Sequence, residues 1–561
     1  DPPRGAGHGH RLGRRAKHQE GQNPEIGRDA VINTLTNPRS RLRAAWATGL
    51  PAAPAGLAAL SGILLVLSFP KFGHWAVAWA ALVPLLCALR ALPVLPAVLA
   101  GILAGFIQHV GLLYWVTHVV VHYGKLPLVV GVPVMMLLAL YLSLYTGLFA
   151  GGTVLFRMRG IPAVASAPLL WTALEYAKSM LLTGFPWENL AHSQYLNLPI
   201  IQMADVTGSY GVSFLLVLVN AALAAFIGAN REGMRKALAG AAAAALLVSL
   251  ATGYGLWRLS DVTARFEPAP EQYVALIQGN IDQSIKWDPS YQRETLRIYR
   301  DLSFEAVRGG ARVLIWPETA TPFMFQNRDE LHDAVVGVAK ATGAWLLFGT
   351  PSYTRHEGTL RFQNSAVVLS PAGEIAGAYS KVHLVPYGEY VPLRPLFPFI
   401  EKLAVGVGDF LPGSGFEPVE AAGARVGFLI CYEGIFAEIG RAYGRSGASL
   451  LVNLTNDAWF GMTSAPFQHL SMTVFRAVEN RLYVARAANT GVSAVIDATG
   501  RITARTGLFE RTQLTAPLKM QRIGTFYTAY GDTFVFACVI ALLALFYRPG
   551  GRRPWLKKSR K

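Results

Sequence analysis

Charge and cysteine are both scarce in this chain. Only 15% of its 561 residues are Asp, Glu, Lys or Arg, with 34 acids against 51 bases. So little charge, beside 52% hydrophobic residues, excludes an ordinary soluble enzyme of this length. The three cysteines are Cys87, Cys431 and Cys538, and two of them (Cys87 and Cys538) lie in long apolar runs, so a disulfide framework is excluded. No nucleic-acid module is present, so the net charge of +17 does not mark a nucleic-acid binder. The excess collects at the ends. Residues 1–45 carry nine Lys/Arg against four acids, and residues 548–561 carry seven against none. Residues 1–45 also lack an apolar core, which excludes a secretory signal peptide and predicts a disordered basic tail. His8 and His10 there fit a flexible tail better than a metal site.

Long apolar runs are what the chain has in abundance. Runs near 51–69, 74–92, 94–117, 127–156, 164–185, 209–228, 236–257 and 532–547 approach or reach the roughly 20 residues that a bilayer crossing takes. Eight spans are therefore expected. Basic residues orient them. Arg39, Arg41 and Arg43 precede the first, and Arg90 lies between the second and third. Arg157 and Arg159 follow the fourth, and Arg231, Arg235 and Lys236 separate the sixth and seventh. The basic cluster from Arg552 to Lys561 follows the eighth, so all of these fall on one side, which is read as cytoplasmic. The opposite loops carry few bases, such as Lys71 and Lys125. Glu175 and Lys178 fall within the fifth span, where they either snorkel as a pair near the interface or face a polar cavity. Trp187, in the outer loop that follows, suits an interfacial belt.

Between the seventh and eighth runs the pattern changes. Strands are expected at 273–278, 313–316, 345–349, 365–369, 374–379, 426–431, 450–454 and 492–497. Helices are expected at 289–308, 328–342 and 468–486. Strands alternating with amphipathic helices predict an α/β layered fold. Three of the strands end in chemistry. Arg425-Val-Gly-Phe-Leu-Ile-Cys431-Tyr432-Glu433-Gly434 is an apolar run that stops at a thiol. Val313-Leu-Ile-Trp316-Pro317-Glu318-Thr319 has the same design with a carboxylate. Tyr379-Ser380-Lys381-Val-His383-Leu-Val-Pro-Tyr387-Gly-Glu389-Tyr390 supplies a lysine after the third strand. Taken alone, Cys431 reads first as a buried core cysteine. With Glu318 and Lys381, it can instead be a nucleophile beside a base and an electrostatic stabiliser at one sheet edge.

These segments, with Asn453-Leu-Thr-Asn456-Asp457-Ala-Trp459-Phe460-Gly461 and Arg476-Ala-Val-Glu479-Asn480-Arg481, resemble the nitrilase (carbon-nitrogen hydrolase) superfamily with its Glu-Lys-Cys triad. The resemblance covers roughly 270–520 and implies an αββα sandwich. Eight spans plus an outward nitrilase-like domain, with Gln278-Gly-Asn-Ile-Asp-Gln-Ser-Ile-Lys-Trp287 and Gly184-Phe-Pro-Trp187, resemble the apolipoprotein N-acyltransferase family, its membrane-embedded branch. The resemblance then implies a layout. Residues 1–45 form a cytoplasmic tail, 46–260 a seven-span membrane domain, and 268–522 a periplasmic catalytic domain. Residues 530–548 form the eighth helix, and 549–561 a second basic cytoplasmic tail. The location implied is the bacterial inner membrane, with both termini cytoplasmic.

The same resemblance implies a ping-pong reaction. Cys431 takes an acyl chain from a phospholipid as a thioester and passes it to the α-amine of an S-diacylglyceryl cysteine at an apolipoprotein N-terminus. Glu318 is the expected base and Lys381 the oxyanion stabiliser, with no metal or other cofactor. Glu389 either assists Lys381 or forms a structural ion pair. Glu433 shapes the pocket or caps a helix. Trp287, Tyr432, Trp459 and Phe460 contact substrate or simply pack, and Asn364 contacts the site or orients a loop. Arg481 has no role assigned by the pattern. His383 and His469 leave a Cys–His protease reading available, which the lysine and Trp-Pro-Glu context disfavours. The apolar loop 393–412, with Phe397, Phe399, Ile400, Leu403 and Val405, is expected to be a packed surface loop or a lid dipping into the lipid. Two rival functions are a membrane-tethered amidase using water as acceptor, and a transporter with a degenerate domain.

Overall fold

The computed structural model describes residues 49–390 and 410–547. The basic tails expected at 1–45 and 549–561, and most of the 393–412 loop, lie outside the described residues.

Six helices of 17 residues or more precede the first strand: α1 (Ala52–Ser68), α2 (Val94–Leu113), α3 (Leu128–Met158), α4 (Ala163–Met180), α5 (Ser209–Ile227) and α6 (Met234–Phe266). The first four start directly after a proline, namely Pro51, Pro93, Pro127 and Pro162. Proline has no N–H to satisfy and disfavours helix in the residue before it, so each run begins at a defined point. Four helices (α2, α3, α5 and α6) are long and apolar enough to cross a membrane. Shorter apolar helices occupy Ala52–Ser68, Trp75–Ala88 and Thr533–Tyr547. α2 and α3 approach closely because small residues line their contact. A Cβ on Gly105 would stand 2.7 Å from Thr146 Oγ1.

Residues 74–92, read as one span, are broken into a 3₁₀ turn at Trp75–Trp79 and a short helix at Val83–Ala88. Side chains from neighbouring helices make the break possible. The Leu82 N–H donates to Asn220 Oδ1 at 2.8 Å and the Leu85 N–H to Ser61 Oγ at 2.8 Å. Free backbone donors in an apolar bundle need such partners. Glu175 and Lys178 do not snorkel. Both are buried and line a cavity of about 30 Å³ with Gln108, His109 and Glu188.

The bundle has two chemically distinct ends. At one, Arg157 donates to Leu92 O at 2.7 Å, Arg90 reaches Gly228 O, and the Arg159 guanidinium lies 3.4 Å from the Phe546 ring centroid. At the other, Gln468 donates to Pro70 O and Leu112 O, both at 3.2 Å.

The remaining chain builds two six-stranded sheets. One runs β12-β1-β2-β3-β4-β5. Its strands are β1 (Glu271–Gln278), β2 (Val313–Ile315), β3 (Trp345–His356), β4 (Thr359–Leu369), β5 (Ile375–Ser380) and β12 (Thr512–Lys519). The other runs β11-β10-β9-β8-β7-β6. It holds β6 (Val419–Ala421), β7 (Ala424–Ile430), β8 (Leu450–Thr455), β9 (Tyr483–Ala488), β10 (Ala494–Ile496) and β11 (Ile502–Arg505). Alternate residues sort the layers, because successive side chains point to opposite faces. Val274, Leu276, Val313 and Ile315 pack toward Val426, Phe428 and Leu450 of the second sheet. Ala275, Ile277, Leu314 and Trp316 pack under α7 (Pro289–Arg308) and α8 (Glu330–Thr342). α9 (Ala437–Arg445) and α10 (Ala465–Asn480) accompany the second sheet, and α11 (Thr533–Tyr547) closes the described chain. This is an αββα sandwich.

The helix expected at 468–486 stops at Asn480, and the rest becomes β9. Arg481 makes the turn with a φ of 51°, and its side chain holds the two halves of the protein together. Its guanidinium donates to Asp205 Oδ2 at 2.8 Å, Gln202 Oε1 at 2.6 Å and Ala498 O at 3.0 Å. Asp205 also accepts from Arg258 Nε of α6 at 2.7 Å. Removing one member of a buried charge set of this kind costs about 3–5 kcal/mol. Arg481→Ala is therefore expected to lower the thermal unfolding temperature in detergent clearly, and an unchanged Tm would reject the clamp.

Candidate active site

Three strands of the sandwich deliver the three expected groups. β2 ends at Ile315 before Trp316-Pro317-Glu318, β5 ends at Ser380 before Lys381, and β7 ends at Ile430 before Cys431. Two of these turns are sharp. Thr319 and Cys431 both adopt a φ of 51°, a region that costs a non-glycine residue about 1–3 kcal/mol. The strain persists at Cys431 because Glu433 over-determines the turn. One of its oxygens accepts from the Ile430 N–H at 2.8 Å. The other accepts from Tyr379 Oη at 2.7 Å and from the N–H groups of Val382 at 2.8 Å and His383 at 3.1 Å. Glu433 thus straps the cysteine turn to the loop that carries Lys381. It is a strut between the sheets, and burial raises its carboxyl to about 7 despite these donors.

Lys381 is 1% exposed, with Nζ 3.0 Å and 2.9 Å from the two oxygens of Glu389. Glu389 is steadied by the Val385 N–H at 2.8 Å. Asn364 Nδ2 then joins two carboxylates, donating to Glu389 Oε1 at 3.0 Å and to Glu318 Oε1 at 2.7 Å. The second Glu318 oxygen accepts from the Asn456 N–H at 2.8 Å. Burial works against the Lys381 charge, but Glu389, Glu318 and Cys431 outweigh it and raise the ammonium above its usual value. Burial, and then the Glu318 charge, push the Cys431 thiol well above its usual value, while Lys381 pulls it down. The resting site therefore sets a Cys431 thiol and a Lys381 ammonium beside the Glu318 side chain.

Other expected residues fall into place differently. Asn364 and Glu389 belong to the buried network. Tyr432 is buried, and its hydroxyl donates to Gly184 O at 3.1 Å. Trp187 is no interfacial belt residue. It is buried with its Nε1 donating to Gln468 Oε1 at 2.9 Å; its ring lies 4.8 Å from Trp115, 5.9 Å from Phe460 edge-on, and stacks on Phe185 at 5.9 Å. An aromatic seam thus joins the helical bundle to the sandwich beside the Cys431 turn. Trp459 packs on Tyr123 at 4.8 Å, while Trp287 is 40% exposed on the turn before α7. His469 meets only the main-chain oxygen of Cys431, at 3.1 Å, with its other nitrogen 3.2 Å from Asp457. His383 stacks on Phe436 at 3.9 Å, and burial lowers its pKa to about 4. Neither histidine is positioned on the sulfur as a protease pair requires. Sequence reasoning missed Asn456, whose contribution is a backbone N–H that no residue type signals. It also missed Lys286, buried beside Glu318.

Residues 61–222 match the model for the apolipoprotein N-acyltransferase N-terminal domain, and residues 273–527 match the carbon-nitrogen hydrolase model. The apolipoprotein N-acyltransferase of Geobacter metallireducens is 45% identical over 488 residues, covering 86% of this chain and 92% of that protein. Those of Methylococcus capsulatus (35%, covering 85% and 92%) and Pasteurella multocida (31%, covering 87% and 94%) are similar along comparable lengths. Among solved structures, an amidase from Nesterenkonia sp. overlays 47% of this chain and 95% of its own, with 24% identity and a TM-score of 0.36. Matches that span both the helical bundle and the sandwich, at this identity and over nearly the full length of the relatives, settle the kinship: the chain belongs to the apolipoprotein N-acyltransferase family.

Proposed function

We propose that this protein transfers an acyl chain from a phospholipid, through a thioester on Cys431, to the α-amino group of an N-terminal S-diacylglyceryl cysteine. One observation carries the lipid-donor reading. The residue after the nucleophile, Tyr432, is hydrogen-bonded to Gly184 of the helical bundle, so the thiol lies at the seam with the apolar helices rather than at the free face of the sandwich.

In the first half-reaction Glu318 accepts the thiol proton as Cys431 Sγ attacks the sn-1 ester carbonyl. Negative charge gathers on the carbonyl oxygen, where Lys381 Nζ and the Tyr432 N–H stabilise it. The ester C–O bond breaks, Glu318 returns the proton to the leaving alkoxide, and a lysophospholipid departs. In the second half-reaction the lipoprotein amine attacks the thioester. Glu318 takes the amine proton and returns it to the departing sulfur. Glu389 and Asn364 hold Lys381 and Glu318 in register. Both steps draw their energy from the substrates, so the reading needs no metal or nucleotide.

The proposed setting is an inner membrane, with eight crossings, both termini cytoplasmic and the sandwich periplasmic. Residues 46–260 and 530–548 would form the membrane domain, and 268–522 the catalytic domain. The gathering of Arg90, Arg157 and Arg159 at the bundle end away from the sandwich supports this orientation. In a Cys431→Ala background, a membrane-impermeant maleimide on spheroplasts should label Arg355→Cys, on the exposed β3–β4 hairpin, and spare Arg231→Cys. The reverse pattern would invert the topology.

The chemistry is tested by incubating the purified protein with phospholipid alone and weighing it. An acyl adduct on the Cys431 peptide is expected, absent in Cys431→Ala and discharged by a diacylated cysteine peptide. Glu318→Gln should slow its formation by about 10²- to 10⁴-fold. Ammonia released from a small amide, with no adduct from lipid, would replace the acyltransferase by the amidase.

A further inference from the structure

The site contains a second lysine that the reaction described above leaves idle. Lys286 lies between β1 and α7 and is 1% exposed, while its neighbour Trp287 is 40% exposed. A buried ammonium is held only where the surroundings compensate it. Here the compensation comes from the site itself, because Lys286 Nζ donates to the main-chain oxygen of Glu318 at 3.2 Å.

Its turn is stapled in place from two sides. The Asn280 N–H donates to Asn489 O at 3.0 Å and the Ile281 N–H to Asn489 Oδ1 at 2.9 Å. Asn456 Nδ2 donates to Gln283 Oε1 at 2.7 Å, while the backbone N–H of the same Asn456 holds Glu318 Oε2. The turn, the carboxylate and the end of β8 therefore move as one body. The ionisable groups facing Lys286 are Glu318, beyond β2, and Cys431, beyond β7. Around the thiol stand also Lys381 and Asp457. Lys381 spends much of its charge on Glu389, at 2.9 Å. Lys286 has no such carboxylate hydrogen-bonded to it among the described residues, so its charge acts on the Glu318–Cys431 pair.

We propose that Lys286 is a positioning residue that fixes the Glu318 backbone and supplies a second positive charge favouring the negative charge that the Glu318–Cys431 pair shares, and with it ionisation of the thiol. It makes no covalent bond and transfers no proton. The inference rests on Cys431 as the nucleophile, though not on the identity of the acyl donor. Burial lowers the Lys286 ammonium to about 8, against the opposing pull of Glu318 and Cys431, so the cation is present at neutral pH and fades as pH rises through that value.

The test is the pH dependence of iodoacetamide alkylation at Cys431, followed on its peptide by mass spectrometry so that Cys87 and Cys538 do not interfere. Lys286→Met should shift the curve to higher pH and slow alkylation at pH 7 by about tenfold, the thiolate lost for one unit of pKa. Lys286→Arg should restore the rate at pH 7. Its charge outlasts that of lysine, so above pH 8 it should alkylate faster than the natural protein. A Lys286→Met curve that superimposes on that of the natural protein would overturn the proposal. Should the Met variant fail to fold, the Arg variant decides, and the absence of any gain above pH 8 would overturn it. Alkylation needs no lipid, so normal alkylation without acyl adduct would reject the phospholipid donor and leave Lys286 standing.

Discussion

The charge balance around one buried thiol governs this molecule. A cysteine taken out of water is a poor acid, and a carboxylate beside it makes ionisation harder still. The structure answers with ammonium groups and with hydrogen bonds to every carboxylate involved. Glu318, Glu389 and Glu433 each accept at least two donors, several of them backbone N–H groups fixed by strand ends. Such donors are aimed before any substrate arrives and need no reorganisation during reaction. The two sheets matter chiefly because they bring three strand ends to one place.

A second constraint is that the site is shared between two bodies of different character. The aromatic seam of Trp115, Trp187 and Phe460 is apolar, whereas the clamp of Arg481, Asp205 and Arg258 is ionic and buried. The seam adapts through dispersion contacts, and the clamp fixes register, since a displaced charge would be stranded without a partner.

Much of this was legible in the sequence. Apolar runs that stop abruptly at Glu318, Lys381 and Cys431 already marked strand ends bearing chemistry, and the first amphipathic helix appears with its expected bounds, Pro289–Arg308. The failures have physical causes. The run 74–92 is apolar throughout and gives no sign of its internal break, which is licensed by Asn220 and Ser61, polar partners far away in sequence. Helical periodicity continued through Arg481 into β9 because β9 is buried on both faces and shows no alternation, and only the tertiary clamp makes an arginine turn the chain. Trp187 has the composition of a belt residue, and only the packed sandwich shows it to be interior. Lys286 was concealed by its residue type, since lysines are rarely buried.

Helix α6 runs for 33 residues, about 50 Å, and reaches the first strand of the sandwich within a few residues. Its last turn packs Val262 and Phe266 against Ala498. One continuous helix therefore runs from the apolar bundle to the edge of the sandwich and ties the position of one to the other. The pair then resembles a gantry, with the sandwich carried at the head of one long beam.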